Sequence, residues 1–120
     1  EDVNKVCNMI IKDKKIDSIV SVSLNDKYHP SYNYELKKNN TMKSYFFGKN
    51  DTTIRRQDLK ELYYLDGSIY ASKVSSFVKY LSFVQKKTKG IILESYKSIE
   101  IDSLIDFISA EAIIKNKNIL

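Results

Sequence analysis

One apolar stripe followed at once by one β-branched run constrains this chain more than any other feature. Val3, Val6, Cys7, Ile10 and Ile11 fall at i, i+3, i+4, i+7 and i+8, the period that lays a single apolar face along an α-helix. The spacing predicts a helix over residues 2–14, starting almost at the first residue with no convincing cap ahead of it. Ser18-Ile19-Val20-Ser21-Val22-Ser23-Leu24 then reads as a buried strand, short and rich in β-branched residues. A helix that feeds a strand is one arm of an α/β unit.

The pattern continues downstream. Residues 25–42 are polar, carry Tyr28, Tyr32, Tyr34 and the only proline, Pro30, and read as a loop with room for a short strand. Tyr45-Phe46-Phe47 predicts a strand ended by Gly48 and Asn50-Asp51. Gly67 is expected to open a strand, Ser68-Ile69-Tyr70-Ala71. Ser72 is expected to cap a helix carrying Val74, Phe77, Val78, Leu81 and Val84, with Gly90 just past its end. Ile91-Ile92-Leu93 predicts a strand, and Ser103 with Asp106 a capping-box start for a last helix using Leu104, Ile105, Ile108 and Ala112. Alternating strands and helices predict an α/β fold with a mostly parallel sheet. Within one partial domain, residues 1–27 and 67–120 supply the core, and residues 28–66 form an excursion of the kind used for dimer contacts or a lid.

Composition sets the class. The 120 residues are 42% hydrophobic and 29% charged, a globular balance for one domain or part of one. Cys7 is the only cysteine, so no internal disulfide is possible and a reducing, cytoplasmic setting is expected. No apolar run reaches transmembrane length, and no signal-peptide pattern is present. The start at Glu1-Asp2-Val3, without methionine, suggests a processed or truncated chain. The net charge of +5 comes from scattered lysines such as Lys12, Lys37, Lys38, Lys86 and Lys87. Cations at helix C-termini need no functional explanation.

Several residues could carry chemistry. If Ile99-Glu100-Ile101-Asp102 is extended, Glu100 and Asp102 share one face and the isoleucines enter the core. Two carboxylates at the end of a strand suit a hard cation such as Mg²⁺, completed by water and phosphate oxygens. The alternative is a helix N-terminal anion at Asp102 beside a solvated Glu100. Arg56 can grip a carboxylate with two parallel hydrogen bonds, and Gln57 offers both a donor and an acceptor. Equally, Arg56 can pair with Asp58 or Glu61 at the surface. Tyr70 is either a core tyrosine with its hydroxyl at the rim or a ligand contact. His29 has no partner histidine for zinc. Gly48, Gly67 and Gly90 are the only glycines, which excludes a Walker loop and a dinucleotide fingerprint.

The order of these motifs resembles the C-terminal half of the acylneuraminate cytidylyltransferases, the CMP-sialic, legionaminic and pseudaminic acid synthetases. The resemblance rests on Ser18-Ile19-Val20-Ser21-Val22, His29-Pro30, Arg56-Gln57-Asp58-Leu59, Gly67-Ser68-Ile69-Tyr70, Ile99-Glu100-Ile101-Asp102, and Asp106-Phe107 followed by Ala110-Glu111. It implies half of a Rossmann-like nucleotide-diphospho-sugar transferase fold, cytoplasmic and dimeric. It also implies a reaction in which the anomeric hydroxyl of a nine-carbon sugar acid attacks the α-phosphate of CTP, with Mg²⁺ or Mn²⁺ neutralising phosphate charge. Asp102 and Glu100 then match the metal-proximal catalytic acids. Arg56, Gln57, Asp66 and Tyr70 match the sugar-acid pocket, and Phe83 an aromatic wall lent across a dimer interface.

This chain departs from that pattern at Glu100 (usually Asp), Asp66 (usually Asn), Lys60 (commonly Pro) and Tyr32 (often basic in sialate-type members). The glycine-rich CTP loop of the resembled enzymes has no counterpart here. The chain is therefore expected to be a fragment that does not bind CTP tightly or turn over alone. The competing expectations are a non-catalytic dimerisation module of the same fold and a basic nucleic-acid-binding domain. The second draws on aromatics and lysines interleaved over residues 28–49, which are more economically a strand core. Neither a nucleic-acid nor a membrane partner is expected.

Overall fold

The computed structural model describes residues 1–45, 55–116 and 118. The chain divides into two compact units, Glu1–Ser23 with Leu65–Leu120, and Leu24–Tyr64.

In the first unit, α1 (Asp2–Lys12) and β1 (Ser18–Leu24) form where the sequence period places them. Glu1 stands at the N-cap without a side-chain cap bond. Helix α1 turns Val6 onto the sheet, where it meets Ile16 and Ile19, with Met9, Ile10, Ile69, Ala71 and Ile91 packed around them. Ile19 is 0% exposed, and Val20 on the other face is also buried. β1 is therefore covered on both sides, as a central strand should be.

β1 lies between β4 (Tyr63–Ser72) and β5 (Thr88–Ile92). It runs parallel to β5, in register from Ser18 opposite Thr88 to Val22 opposite Ile92. β4 runs the other way. Near its end the Lys73 N–H donates to the Asp17 carbonyl. Earlier along it the Ile69 N–H donates to Ser21 Oγ, and Asp66 meets Ser23. The sheet is thus mixed, not mostly parallel as the alternation of elements suggested. Strand–helix alternation fixes strand identity but not the direction of a strand reached through a long insertion.

Gly67 does not open a strand. It sits inside β4 with φ +77°. In an unbroken strand Asp66 and Ile69 would point to opposite faces. Here Asp66 reaches Ser21 and Ser23 while Ile69 joins the core around Ile19, on the same side of the sheet. A bulge at the glycine, whose missing Cβ permits a left-handed backbone, accounts for the switch.

Other boundaries also move. Lys73, not Ser72, is the N-cap of α2 (Val74–Tyr80), and Ser72 Oγ donates to backbone carbonyls of Asp17 and Lys73 instead. The helix stops at Leu81, in the left-handed region at φ 49°, so Val84 lies beyond it. Gly90 is not a helix terminator but a residue of β5, where its hydrogen faces Val22. Ile99–Asp102 is irregular chain rather than strand, and Ile101 is exposed. Helix α3 (Leu104–Lys115) opens on the expected capping box, with Ser103 and Asp106 bonding each other's backbone N–H. No residue of α3 is buried.

The second unit contains a 3-10 turn at Pro30–Tyr32 and a hairpin of β2 (Tyr34–Leu36) and β3 (Met42–Ser44). Asn40 turns that hairpin at φ 60°. Tyr45 lies in a bend, and the rest of the strand expected at Tyr45-Phe46-Phe47, with Gly48 and Asn50-Asp51, lies outside the described residues. The unit ends with a 3-10 turn at Arg56–Asp58 and the start of β4.

Candidate functional site

The bulge in β4 brings together motifs far apart in sequence. Glu100 Oε1 lies 2.9 Å from the position that a Cβ on Gly67 would occupy. The neighbouring Ser68 Oγ donates to the Lys97 carbonyl at 3.2 Å. The strand motif Gly67–Tyr70 and the acidic segment 97–100 are therefore adjacent. Glycine is required at position 67 twice over, by its backbone angle and by the carboxylate seated against it.

Asp66 is buried, only 3% exposed. Its Oδ1 accepts from the Ser21 hydroxyl and, at 3.0 Å, from the Ser68 N–H. Its Oδ2 accepts from the Ser23 hydroxyl at 3.0 Å. Ser21 is a relay in this group, since its oxygen also accepts from the Ile69 N–H at 2.8 Å. Burial pushes the Asp66 carboxyl up, but the bonds from Ser21, Ser68 and Ser23 outweigh it and hold it below the usual carboxylate range. A carboxylate only accepts, so two hydroxyls and an amide suit it. Ser21 and Ser23 were not singled out from the sequence. The available signal was an Asp-Gly pair inside a strand pattern, which marks a bulge with a side chain to be placed.

Glu100 and Asp102 are exposed, and neither carboxylate has a hydrogen bond or ion pair among the described residues. Asp102 contributes its backbone N–H to Asp106 Oδ2 at 3.3 Å, ahead of α3. Among the described residues no three His, Cys, Asp or Glu side chains converge on one metal position. The shared face expected for Glu100 and Asp102 rested on an extended segment, and 99–102 is irregular chain, so no strand aligns the two carboxylates.

Tyr70 and Phe83 are close, with ring centroids 5.6 Å apart, and Phe77 lies 4.8 Å from Phe83. Both Tyr70 and Phe83 keep more than a third of their surface exposed. The rings form a partly open aromatic cluster beside β4, neither sealed core nor isolated side chains. Lys97 ties the segment 94–97 to α1 by bridging Asp2 at 2.8 Å and Glu94.

Arg56 and Gln57 belong to the second unit, in the turn Arg56–Asp58. Gln57 is exposed there. Leu59, the last residue of that motif, lines a cavity of about 170 Å³ with Asn25, Asp26, His29, Lys60 and Glu61. Its volume falls short of the several hundred Å³ typical of small-molecule sites. His29 anchors the segment. Its Nδ1 accepts from the Ser31 N–H and its Nε2 lies 3.2 Å from the Lys60 carbonyl. One partner only donates and the other only accepts, so the ring is the neutral tautomer with its hydrogen on Nε2.

A scan against protein-family models gives no match, and no curated protein matches the chain.

Proposed function

We propose that this chain supplies the sugar-acid and metal half of a cytidylyltransferase-type nucleotidyl transfer, in which CTP activates a nonulosonic acid to a CMP-sugar and pyrophosphate. The observation that carries the reading is the seating of Glu100 against Gly67. It brings the acidic segment onto the strand motif that also carries Tyr70. In this reading Glu100 and Asp102 hold Mg²⁺ or Mn²⁺, which would offset charge building up on the phosphates. Tyr70 and Phe83 offer an aromatic face for the sugar. For Arg56 and Gln57, which belong to the second unit, the proposal goes no further than their chemistry: a guanidinium fork matches a carboxylate and an amide can serve hydroxyls. The three glycines cannot form a phosphate-cradling loop, so the nucleotide is held by a segment other than these 120 residues. A homodimer is part of the same proposal, with Phe83 packed on Tyr70 and Phe77 of its own chain rather than lent across the interface.

The test supplies the nucleotide-binding half of a nonulosonate cytidylyltransferase in trans, with Mg²⁺, CTP and a panel of nine-carbon sugar acids. Pyrophosphate release that depends on this chain, and that drops at least a hundredfold in Glu100→Gln and in Asp102→Asn, is expected. Saturation-transfer NMR of CMP-sugar on the same mixture reports binding separately. Absence of both turnover and binding with every sugar acid would sink the reading. A second reading, a non-catalytic association module, is favoured by the uncovered apolar surface of α3. It predicts a dimer whose melting temperature ignores Mg²⁺ and CMP-sugar.

A further inference from the structure

We infer that Asp66 is a positioning residue: clasped by Ser21, Ser23 and the Ser68 amide, it fixes the Gly67 bulge against which the Glu100 carboxylate is seated. This rests on the reading of Glu100 as a metal-proximal acid, and it moves Asp66 out of the sugar pocket. Three observations carry it. Asp66 is 3% exposed, so it presents no surface to a sugar. Both of its oxygens are already engaged by donors. A buried anion would moreover repel the carboxylate of an acidic sugar rather than recruit it.

The clasp engages the backbone of β4 as well as its side chains. The Ser68 amide donates to Asp66 Oδ1 and the Ile69 amide to Ser21 Oγ. Without Asp66 the Ser68 N–H and both serine hydroxyls lose an acceptor inside the protein, which strongly disfavours the bulged conformation. Gly67 then has no reason to hold φ +77°, and the surface that meets Glu100 changes shape. Two hydroxyls and a backbone amide converge on this side chain, and a carboxylate accepts from all three at once; an amide would fit only with Ser23 turned to accept from its NH₂.

The experiment uses the 120-residue chain without metal. Through-space NMR transfer from Glu100 Hγ to Gly67 Hα is compared in wild type, Asp66→Ala, Gly67→Ala and Val20→Ala. Val20→Ala is a buried, destabilising change outside the clasp. Loss of the Glu100–Gly67 signal in Asp66→Ala and Gly67→Ala, with retention in Val20→Ala, is expected. Asp66→Asn keeps one acceptor and should retain the signal while Ser68 amide exchange speeds up about tenfold, since one bond of roughly 1–1.5 kcal/mol is weakened. A Glu100–Gly67 signal that survives unchanged in a folded Asp66→Ala overturns the inference. If Asp66→Ala does not fold, Ser21→Ala removes the relay hydroxyl and is read in the same way. A second arm measures Mn²⁺ binding by water-proton relaxation, with a fivefold or greater weakening expected in Asp66→Ala and none in Val20→Ala. A wild-type chain that binds no Mn²⁺ yet loses the contact in Asp66→Ala retires the metal reading and upholds the positioning role.

Discussion

Asp66 draws its stabilisation from hydrogen-bond donors on β1 and β4 rather than from a cation. That choice has a pH signature. Its carboxyl titrates below the ordinary value of about 3.9 in the folded chain, so the folded state prefers the charged form. The contribution is fully present above the unfolded-state value and is lost as pH falls through the lower folded value. Asp66→Asn should therefore cost about 1–3 kcal/mol at neutral pH, with the gap to wild type narrowing below about pH 4. Urea unfolding from pH 7 down to pH 2.5 measures this directly. A gap that stays constant with pH would mean that the charge contributes nothing. Asp106, lowered by the Ser103 hydroxyl and backbone N–H, adds its own acid dependence that the variant leaves intact. At this scale the sequence showed which side chains were unusual but not what they touch. Asp66 was legible as a departure and Gly67 as a turn-former. Their grouping with Ser21 and Ser23 depends on a bulge that moves Asp66 across the strand, and no periodicity encodes that shift.

The elements whose boundaries were legible are those with both a period and a punctuation mark. α1 and β1 follow their apolar patterns, and α3 starts at a capping box readable as Ser103 and Asp106. α2 was misjudged because Leu81 and Val84 continue its apolar period beyond the point where the chain leaves the helix, at a residue with no glycine to announce it. The Ile99–Asp102 alternation was misjudged because four residues cannot distinguish a strand from a loop that happens to alternate. α3 raises a different matter. Leu104, Ile105, Phe107, Ile108 and Ile114 are all exposed, Ile105 at 75%. Contiguous apolar surface of this kind marks association. Replacing Ile105 and Ile108 together by lysine should lower the sedimentation coefficient at high protein concentration and reduce binding of an apolar dye. The thermal midpoint should move by only a few degrees, since neither side chain is buried. Unchanged association would show that α3 is not the contact.

At the scale of the whole molecule the sheet was legible as α/β but not as mixed. The helix–strand alternation implied a mostly parallel sheet, and of the two neighbours of β1 only β5 runs parallel to it. It could not reveal that β4 returns antiparallel after residues 24–64. The strand at the centre of the sheet precedes both of its neighbours in sequence. The partners that hold it are 48 residues further on, where Ile69 meets Ser21, and 70 residues further on, where Thr88 meets Ser18. A chain ending at Lys87 lacks β5 and with it Ile91, which packs on the core around Ile19. Such a truncation should be cut rapidly by protease within residues 18–24, while the intact chain is protected there. Equal protection of both would show that β4 and α1 suffice. During synthesis, then, the keystone leaves the ribosome before either abutment. The apolar segment Ile19–Val22 waits without its sheet partners until residues 69 and 88 have followed it, and over that interval it is a stretch for a chaperone to shield.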